Sequence, residues 1–258
     1  MTNIIAVVNQ KGGVGKTTTT VNLATALSAV GKKNLLIDFD PQGNATTGLG
    51  VMEKETVVGS YEVLIGKVSA ENAIQKTAIP HLYLMPASLH LSGAEVELVT
   101  MPSRERGLLI ALEKLSASFD YIFIDCPPSL GLLTLNALVA ADKVLVPLQC
   151  EFYALEGLSQ LLYTIGQVRK NFNPRLDLQG IVLTMFDNRS SLSTQVANDV
   201  RQHLKEKVYK TQIPRNVRVA EAPSFGKPAV VYDLKCQGSQ AYIQLAKEIL
   251  SQEGELAA

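Results

Sequence analysis

The stretch Asn9-Gln10-Lys11-Gly12-Gly13-Val14-Gly15-Lys16-Thr17-Thr18 decides the fold of this chain. It follows the apolar run Ile4–Val8, which is typical of a strand buried on both faces. It precedes Thr17–Val30, whose apolar spacing predicts a helix that Gly31 ends. A glycine-rich loop between a strand and a helix, ending in Gly-Lys-Thr, predicts a site for the phosphates of a nucleoside triphosphate.

Two lysines and a threonine give this loop its chemistry. Lys16 is expected to reach the β- and γ-phosphates, and Thr17 to offer its hydroxyl to Mg²⁺. Gln10 stands where the common G-x-x-x-x-G-K-[ST] pattern has its first glycine, and Lys11 follows it. The predicted phosphate-binding residues are Lys11, Gly12, Gly13, Val14, Gly15, Lys16, Thr17 and Thr18.

The rest of the chain alternates strand and helix patterns, which predicts an α/β fold. We expect a doubly wound, mostly parallel sheet with helices on both faces, in a single domain over residues 1–258. Residues 41–120 indicate only loops around short helices. Further strands are predicted at Asn34–Asp38, Tyr121–Asp125, Lys143–Pro147 and Gln179–Met185, and helices at Gly131–Ala141, Leu155–Lys170, Ser193–Lys205 and Gln240–Ser251.

Aspartates end two of the predicted strands. Asp38 and Asp40 occupy alternate positions and can point to one side of the chain. Asp125 ends the apolar run that starts at Tyr121. Ligands of such sheets bind at the carboxyl ends of the strands, and carboxylates there suit Mg²⁺ and an attacking water. Asp40-Pro41 is also typical of an ordinary turn.

Composition and charge limit the possible functions. The chain is 47% hydrophobic and has 24 basic and 24 acidic residues, which is typical of a soluble globular protein. Residues 201–235 nevertheless carry eight bases and three acids, which fits either a solvated face or a surface for a polyanion. The three cysteines fit no metal-site spacing and indicate reduced thiols inside a cell. We interpret Cys126 as a small buried side chain without redox chemistry.

The segment Lys11-Gly-Gly-Val-Gly-Lys16-Thr-Thr resembles the deviant Walker A box of the ParA/MinD ATPase superfamily, whose hallmark is a second lysine, here Lys11. The resemblance implies ATP and Mg²⁺ as cofactors and a homodimer with ATP at its interface, where Lys11 reaches the partner's nucleotide. It implies slow hydrolysis with Lys11, Lys16 and Asp40 as catalytic residues, Asp40 positioning the water. By the same resemblance, Mg²⁺ is held by Thr17, Asp38 and Asp125.

Other stretches resemble chromosomal ParA (Soj) proteins, among them Asp40-Pro-Gln-Gly-Asn44, Pro147-Leu-Gln-Cys-Glu151 and Ile213-Pro-Arg-Asn216. This implies an ATP-dependent partitioning protein in the cytoplasm, associated with the nucleoid. Its ATP dimer binds DNA non-specifically, and a ParB-type partner stimulates hydrolysis, which releases the DNA and drives chromosome or plasmid segregation. The implied DNA-binding residues are Arg189, Arg215, Arg218 and Lys227, and the candidate adenine-binding residues are Met185, Pro214 and Asn216, with Phe186 and Asp187 in addition.

A MinD-like membrane-associated positioning ATPase is the alternative. That family ends in a basic amphipathic helix, whereas Ile243–Ala258 carries one lysine and three glutamates. We therefore expect no membrane partner and a last helix that packs on the sheet. Because the first strand begins at Ile4, we also expect neither a signal peptide nor an N-terminal helix-turn-helix region for operator-specific DNA binding.

Overall fold

Eight strands form one sheet at the centre of the protein. The computed structural model describes residues 2–51, 58–88, 90–113, 115 and 118–254. The strands are β1 Asn3–Val7, β2 Asn34–Asp38, β3 Gln75–Lys76, β4 Leu82–Met85, β5 Tyr121–Asp125, β6 Lys143–Gln149, β7 Asp177–Phe186 and β8 Val208–Pro214. Their order is β3-β4-β2-β5-β1-β6-β7-β8. All neighbouring strands are parallel except β3 and β4.

Helices cover both faces of this sheet. They are α1 Lys16–Ala29, α2 Asn44–Gly48, α3 Ser60–Leu64, α4 Leu91–Leu98, α5 Gly107–Leu112, α6 Leu132–Ala140, α7 Ala154–Asn171, α8 Ser191–Leu204, α9 Val217–Glu221, α10 Ala229–Tyr232 and α11 Gln237–Gln252. Short 3₁₀ turns occupy Ala70–Ala73, Lys205–Lys207 and Ala222–Phe225.

Strand β1 shows how the two faces are divided. Ile5 and Val7 belong to the core under α1 and α11, whereas Ile4 and Ala6 belong to the core under α3 to α8. Successive side chains of a strand point to opposite faces, so a strand covered on both sides is apolar throughout. The predicted doubly wound α/β fold is confirmed.

Helix α1 is buried along most of its length despite its threonines. The hydroxyl of Thr25 donates to the carbonyl of Val21 one turn earlier, at 2.8 Å. The single hydroxyl proton of Thr20 is shared between the carbonyl of Lys16 at 2.9 Å and the carboxylate of Asp125 at 3.0 Å. These bonds satisfy the buried hydroxyls and let a polar helix pack against the sheet.

Three strands were not predicted from the sequence. Strand β8 lies at the edge of the sheet and carries Lys210, Thr211 and Gln212, because an edge strand can leave part of its surface in water. Strands β3 and β4 have only two and four residues, too few for a clear pattern. The predicted last helix does pack on α1 and β8. Among the described helices, none is long and apolar enough to cross a membrane.

Two glycine-containing loops touch backbone to backbone beyond α2. Gly50 and Gly226 both have positive φ, at 74° and 61°. A Cβ on Gly50 would lie 2.8 Å from the carbonyl oxygen of Gly226, and a Cβ on Gly226 would lie 2.8 Å from the Cα of Gly50. Only glycine therefore fits either position, and the contact ties α2 to the segment before α10.

Replacing Gly50 with alanine should destabilise the protein more than the backbone conformation alone explains. Gly66 is the matched control, because it has the same φ of 74° and a Cβ added there would meet nothing within 4 Å. We expect Gly66→Ala to lower the free energy of unfolding by about 1 kcal/mol through its left-handed backbone. Gly50→Ala should lose roughly 1 to 3 kcal/mol more, because its methyl group overlaps Gly226. Urea unfolding followed by circular dichroism measures both, and equal losses would contradict the contact.

Candidate functional site

A cleft of about 540 Å³ lies at the carboxyl ends of the strands. It brings together residues that the sequence analysis assigned to separate tasks. Its lining includes the phosphate-loop residues Gly12, Gly13, Gly15, Lys16, Thr17 and Thr18, the aspartate Asp40, and the candidate adenine-binding residues Met185, Pro214 and Asn216. Arg215 and Lys227, predicted to bind DNA, line the same cleft.

Hydrogen bonds from side chains outside the glycine-rich motif hold the phosphate loop in place. Gly13 and Gly15 have φ of 75° and 86°, a conformation that glycine adopts without strain. The amide of Asn9 donates to the carbonyl of Pro147 at 2.7 Å, and its oxygen accepts from the backbone N–H of Lys11 at 3.0 Å. The buried Val14 accepts a hydrogen bond at its carbonyl from the hydroxyl of Thr184 at 2.7 Å.

Lys16 places a buried positive charge at the start of α1. Its Nζ donates to the carbonyl of Lys11 at 3.0 Å. In the described parts of the chain it makes no salt bridge. Burial lowers the pKa of Lys16, while the charges of Asp125 and Asp40 raise it. A desolvated ammonium group without an ion-pair partner attracts a phosphate strongly.

Asp125 is a buried carboxylate with one free oxygen. Its Oδ1 accepts from the hydroxyl of Thr20 at 3.0 Å, whereas Oδ2 has no hydrogen-bond partner among the described residues. Burial, and then the charge of Asp38, raise the pKa of Asp125 to about 8, although the nearby hydroxyls of Thr17 and Thr20 lower it. An unsatisfied buried carboxylate oxygen is costly until a cation binds it.

The residues present therefore fit Mg²⁺. No group of three or more His, Cys, Asp or Glu side chains in the described chain could hold a metal. Mg²⁺ needs no such group, because in nucleotide sites it takes one or two carboxylates, phosphate oxygens and waters. The Asp125 carboxylate and the hydroxyl of Thr17 meet that requirement.

The carboxylate of Asp38 accepts hydrogen bonds from another residue of the chain. Its Oδ2 accepts from the backbone N–H and the hydroxyl of Thr46, at 2.7 and 2.6 Å. Burial raises the pKa of Asp38 to about 6 against these lowering hydrogen bonds. Asp38 thus fixes α2 beside the cleft, and its role in binding Mg²⁺ stays a prediction.

Asp40 and Lys11 differ in their position relative to the cleft. Asp40 lines it, and one carboxylate oxygen accepts from the backbone N–H of Gln42 at 3.0 Å. Lys11 is not among the described lining residues; its half-exposed Nζ forms an ion pair with Glu151. The catalytic roles of both residues stay predictions.

The candidate adenine-binding residues Met185, Pro214 and Asn216 line the same cleft as the phosphate loop. Met185 has a φ of 48°, a strained value for a residue with a side chain. The side-chain oxygen of Asn216 caps α9 by accepting from the backbone N–H groups of Arg218 and Val219. Neither Phe186 nor Asp187 is among the described residues that line the cleft.

The remaining basic candidates lie on the outer surface. Arg189 donates from Nε and Nη2 to Asp187 at 3.0 and 3.1 Å. Arg218 contacts Glu221 at 2.6 Å and Asp233 at 3.5 Å. Exposed ion pairs of this kind are weak, so both guanidinium groups can exchange their partners for phosphates.

Sequence reasoning missed several residues that line the cleft or hold the aspartates beside it. The sequence spacing could have identified Thr20, because it follows Lys16 by one helical turn and so faces the same strand end. Thr46 and Thr184 reach the site from other segments. Tyr242 lines the cleft from α11, and its hydroxyl lies 3.3 Å from that of Thr19, a pair too distant in sequence to anticipate.

Cys126 is buried as predicted, and burial raises its pKa well above the usual value, so the thiol is unreactive.

Comparison with known proteins is consistent with this site. A sequence-family model described as an AAA domain matches residues 2–178. The chromosome partitioning protein ParA of Caulobacter vibrioides is 57% identical, over 97% of this chain and 94% of the relative. The sporulation initiation inhibitor protein Soj of Bacillus subtilis is 52% identical, over 96% of this chain and 98% of the relative.

A solved structure also covers nearly the whole chain. It is that of cobyrinic acid a,c-diamide synthase from Mycobacterium smegmatis with a bound ATP analogue and magnesium. It is 40% identical, with a TM-score of 0.86 over 98% of this chain and 96% of that protein. The likeness therefore extends over the fold and the strand ends that form the cleft.

The nucleotide-free protein should lose stability as the pH rises, through Asp125. Its pKa in the folded state, about 8, lies above the ordinary value of 3.8, so between these values the folded protein holds a proton that the unfolded chain releases. Asp125→Asn removes this dependence. The free energy of unfolding of the variant, minus that of the wild type, should therefore increase from pH 5.5 to pH 8.5 in urea titrations.

Asp177→Asn is the control for this series. The pKa of Asp177 lies below 3.8, because hydrogen bonds and charges, chiefly from Lys207, outweigh its partial burial. Its variant should differ from the wild type by a constant amount over the same pH range. A constant difference for Asp125→Asn as well would contradict the raised pKa of Asp125.

Proposed function

Since this chain belongs to the ParA/Soj family of partitioning ATPases, we propose that it is an ATP-dependent DNA-partitioning protein. Its ATP-bound homodimer binds DNA without sequence preference, and hydrolysis releases the DNA. A ParB-type centromere-binding protein stimulates that hydrolysis. The observation that carries the proposal is the meeting of the phosphate loop and Asp40 in one cleft. The buried Asp125, with its unsatisfied oxygen, contacts Thr20 of α1, the helix that the phosphate loop begins.

ATP and Mg²⁺ are the cofactors of this ATPase. Lys16 and the loop glycines bind the phosphates, because the buried ammonium group and the start of α1 both favour negative charge. Thr17 and Asp125 would hold Mg²⁺, which neutralises charge on the phosphates when it is bound. Asp40 orients the attacking water, and Asp38 keeps α2 in place beside it.

Hydrolysis serves a binding switch. ATP closes the dimer, and because the free energies of linked binding steps are reciprocal, dimerisation also tightens ATP binding. Lys11 contributes a cation to the partner's nucleotide, where phosphoryl transfer develops negative charge. Hydrolysis then resets the switch on a timescale that the partner protein sets.

The DNA surface combines the exposed and the cleft-lining basic residues. Arg189 and Arg218 offer exposed guanidinium groups to DNA phosphates. Arg215 and Lys227 line the nucleotide cleft, so a bound nucleotide contacts these two DNA-binding side chains directly. The protein is thereby expected in the cytoplasm, on the nucleoid.

A partitioning role is favoured over the functions for which other similar proteins are named. Relatives named for partitioning or as Soj share 57% and 52% of residues with this chain, against 40% for the synthase from M. smegmatis. A MinD-like protein binds anionic lipid through a basic amphipathic helix, and residues 243–254, with one lysine and two glutamates, do not form such a basic face.

An ATPase assay with and without duplex DNA and the cognate ParB tests the function. Both ligands together should accelerate hydrolysis, and Asp40→Ala should retain ATP binding while its turnover falls at least about 100-fold, because no carboxylate orients the water. Stimulation by anionic lipid vesicles in place of DNA would instead support the MinD-like alternative. Loss of ATP binding in Asp40→Ala would refute the assigned role of Asp40.

DNA binding by the ATP-loaded protein should weaken steeply with salt. Arg218→Ala should reduce the slope of log affinity against log salt by about one, because one phosphate contact is lost. Arg169→Ala is a matched control, since Arg169 is 53% exposed and paired with an aspartate, while Arg218 is 55% exposed and also acid-paired. Fluorescence anisotropy between 50 and 200 mM salt measures this, and equal affinity throughout would exclude a phosphate-contact mechanism.

A further inference from the structure

Arg218 lies between two carboxylates that come from different parts of the chain. Its Nη1 donates to Oε1 of Glu221 at 2.6 Å, within α9. Its Nε lies 3.5 Å from Oδ2 of Asp233, the residue that follows α10. The side chain of Arg218 is 55% exposed, whereas those of the two acids are 33% and 34% exposed. The arginine therefore faces the solvent, while both acids beside it are mostly covered.

Each of these acids is also held by bonds that do not involve the arginine. Oε1 of Glu221 accepts from the hydroxyl of Tyr232 at 3.2 Å. Oδ1 of Asp233 accepts from the backbone N–H groups of Lys235 and Cys236, at 3.1 and 3.2 Å. Because these bonds already fix both carboxylates, pairing with the arginine costs them little further side-chain freedom, the cost that usually makes a surface ion pair weak.

We propose that Glu221 and Asp233 restrain DNA binding by competing with DNA phosphates for Arg218. The inference rests on the DNA binding of the proposed function and names the groups that oppose it. A guanidinium group binds a phosphate best through two parallel N–H donors, either Nε with Nη2 or Nη1 with Nη2. Each of these pairs includes one donor that already faces a carboxylate. A phosphate must therefore displace one of the two acids before Arg218 can bind it in this way.

The two acids continue to act after a phosphate has displaced them. Their bonds to Tyr232 and to the backbone keep them near the guanidinium group, where their negative charges repel the bound phosphate. They also offer Arg218 a partner when the DNA leaves. This Arg218 restraint thus lowers the affinity for DNA and makes the contact easy to break, which suits a protein that must release DNA in every hydrolysis cycle.

Fluorescence anisotropy of a labelled duplex, with Mg²⁺ and the non-hydrolysable analogue AMPPNP, tests the restraint at about 100 mM salt. Glu221→Gln keeps the size of the side chain and an oxygen for Tyr232, but it removes the charge. We expect it to raise the affinity for DNA about three- to fivefold, the size of one surface ion pair. Asp233→Asn, which keeps an oxygen for the two backbone N–H groups, should act in the same direction.

An Arg218→Ala background separates competition for the arginine from a general loss of negative charge. Glu221→Gln should change the affinity less than about 1.5-fold in that background, because the two substitutions form a double-mutant cycle. Asp177→Asn is a second control. Asp177 is 52% exposed and pairs with Arg169 and Lys207, at 2.9 and 3.1 Å, where β7 begins. This variant should bind DNA as the wild type does.

The outcomes separate this inference from the proposed function. A wild type that does not bind DNA with AMPPNP overturns both. Wild-type DNA binding that Glu221→Gln fails to strengthen overturns the restraint alone. The same follows if Glu221→Gln strengthens binding equally in the Arg218→Ala background, or if Asp177→Asn gives an equal gain. Circular dichroism checks folding, and Asp233→Asn carries the same test if Glu221→Gln does not fold.

Discussion

The in-register parallel pairing of β1, β5 and β2 is the constraint on which the site depends. Asp125 ends β5 and pairs with Val7 on one side and with Asp38 on the other. Because the three strands run in the same direction, the phosphate loop after β1 and the carboxylates after β2 and β5 must meet at one edge. A slip of one residue in this pairing would turn Asp125 to the opposite face of the sheet.

This geometry concentrates unfavourable electrostatics in the protein without ligand. Asp38, Asp125 and Lys16 are all buried, and burial shifts each of their pKa values towards the uncharged form. A bound cation and an anionic phosphate cancel these penalties together. Ligand binding therefore stabilises the fold at the place where the sequence departs most from an ordinary apolar core.

The sequence predicted the elements that local patterns control. Strands β2 and β5 lie where their apolar runs placed them, and the phosphate loop lies between β1 and α1, because its glycines and flanking residues act over a few positions. The pairs Thr46 with Asp38 and Tyr242 with Thr19 could not be predicted, since they depend on how distant segments pack. The same is true of Glu151 holding Lys11, which no local pattern indicates.

The contact of Gly50 with Gly226 restricts how this sequence can change over time. Most core contacts tolerate a larger residue on one side when a smaller one appears on the other. Here both partners already have the smallest side chain, so neither position can compensate for a change in its neighbour. A new residue at either place requires one of the two loops to be rebuilt, and with it one wall of the cleft that α2 and the segment before α10 share.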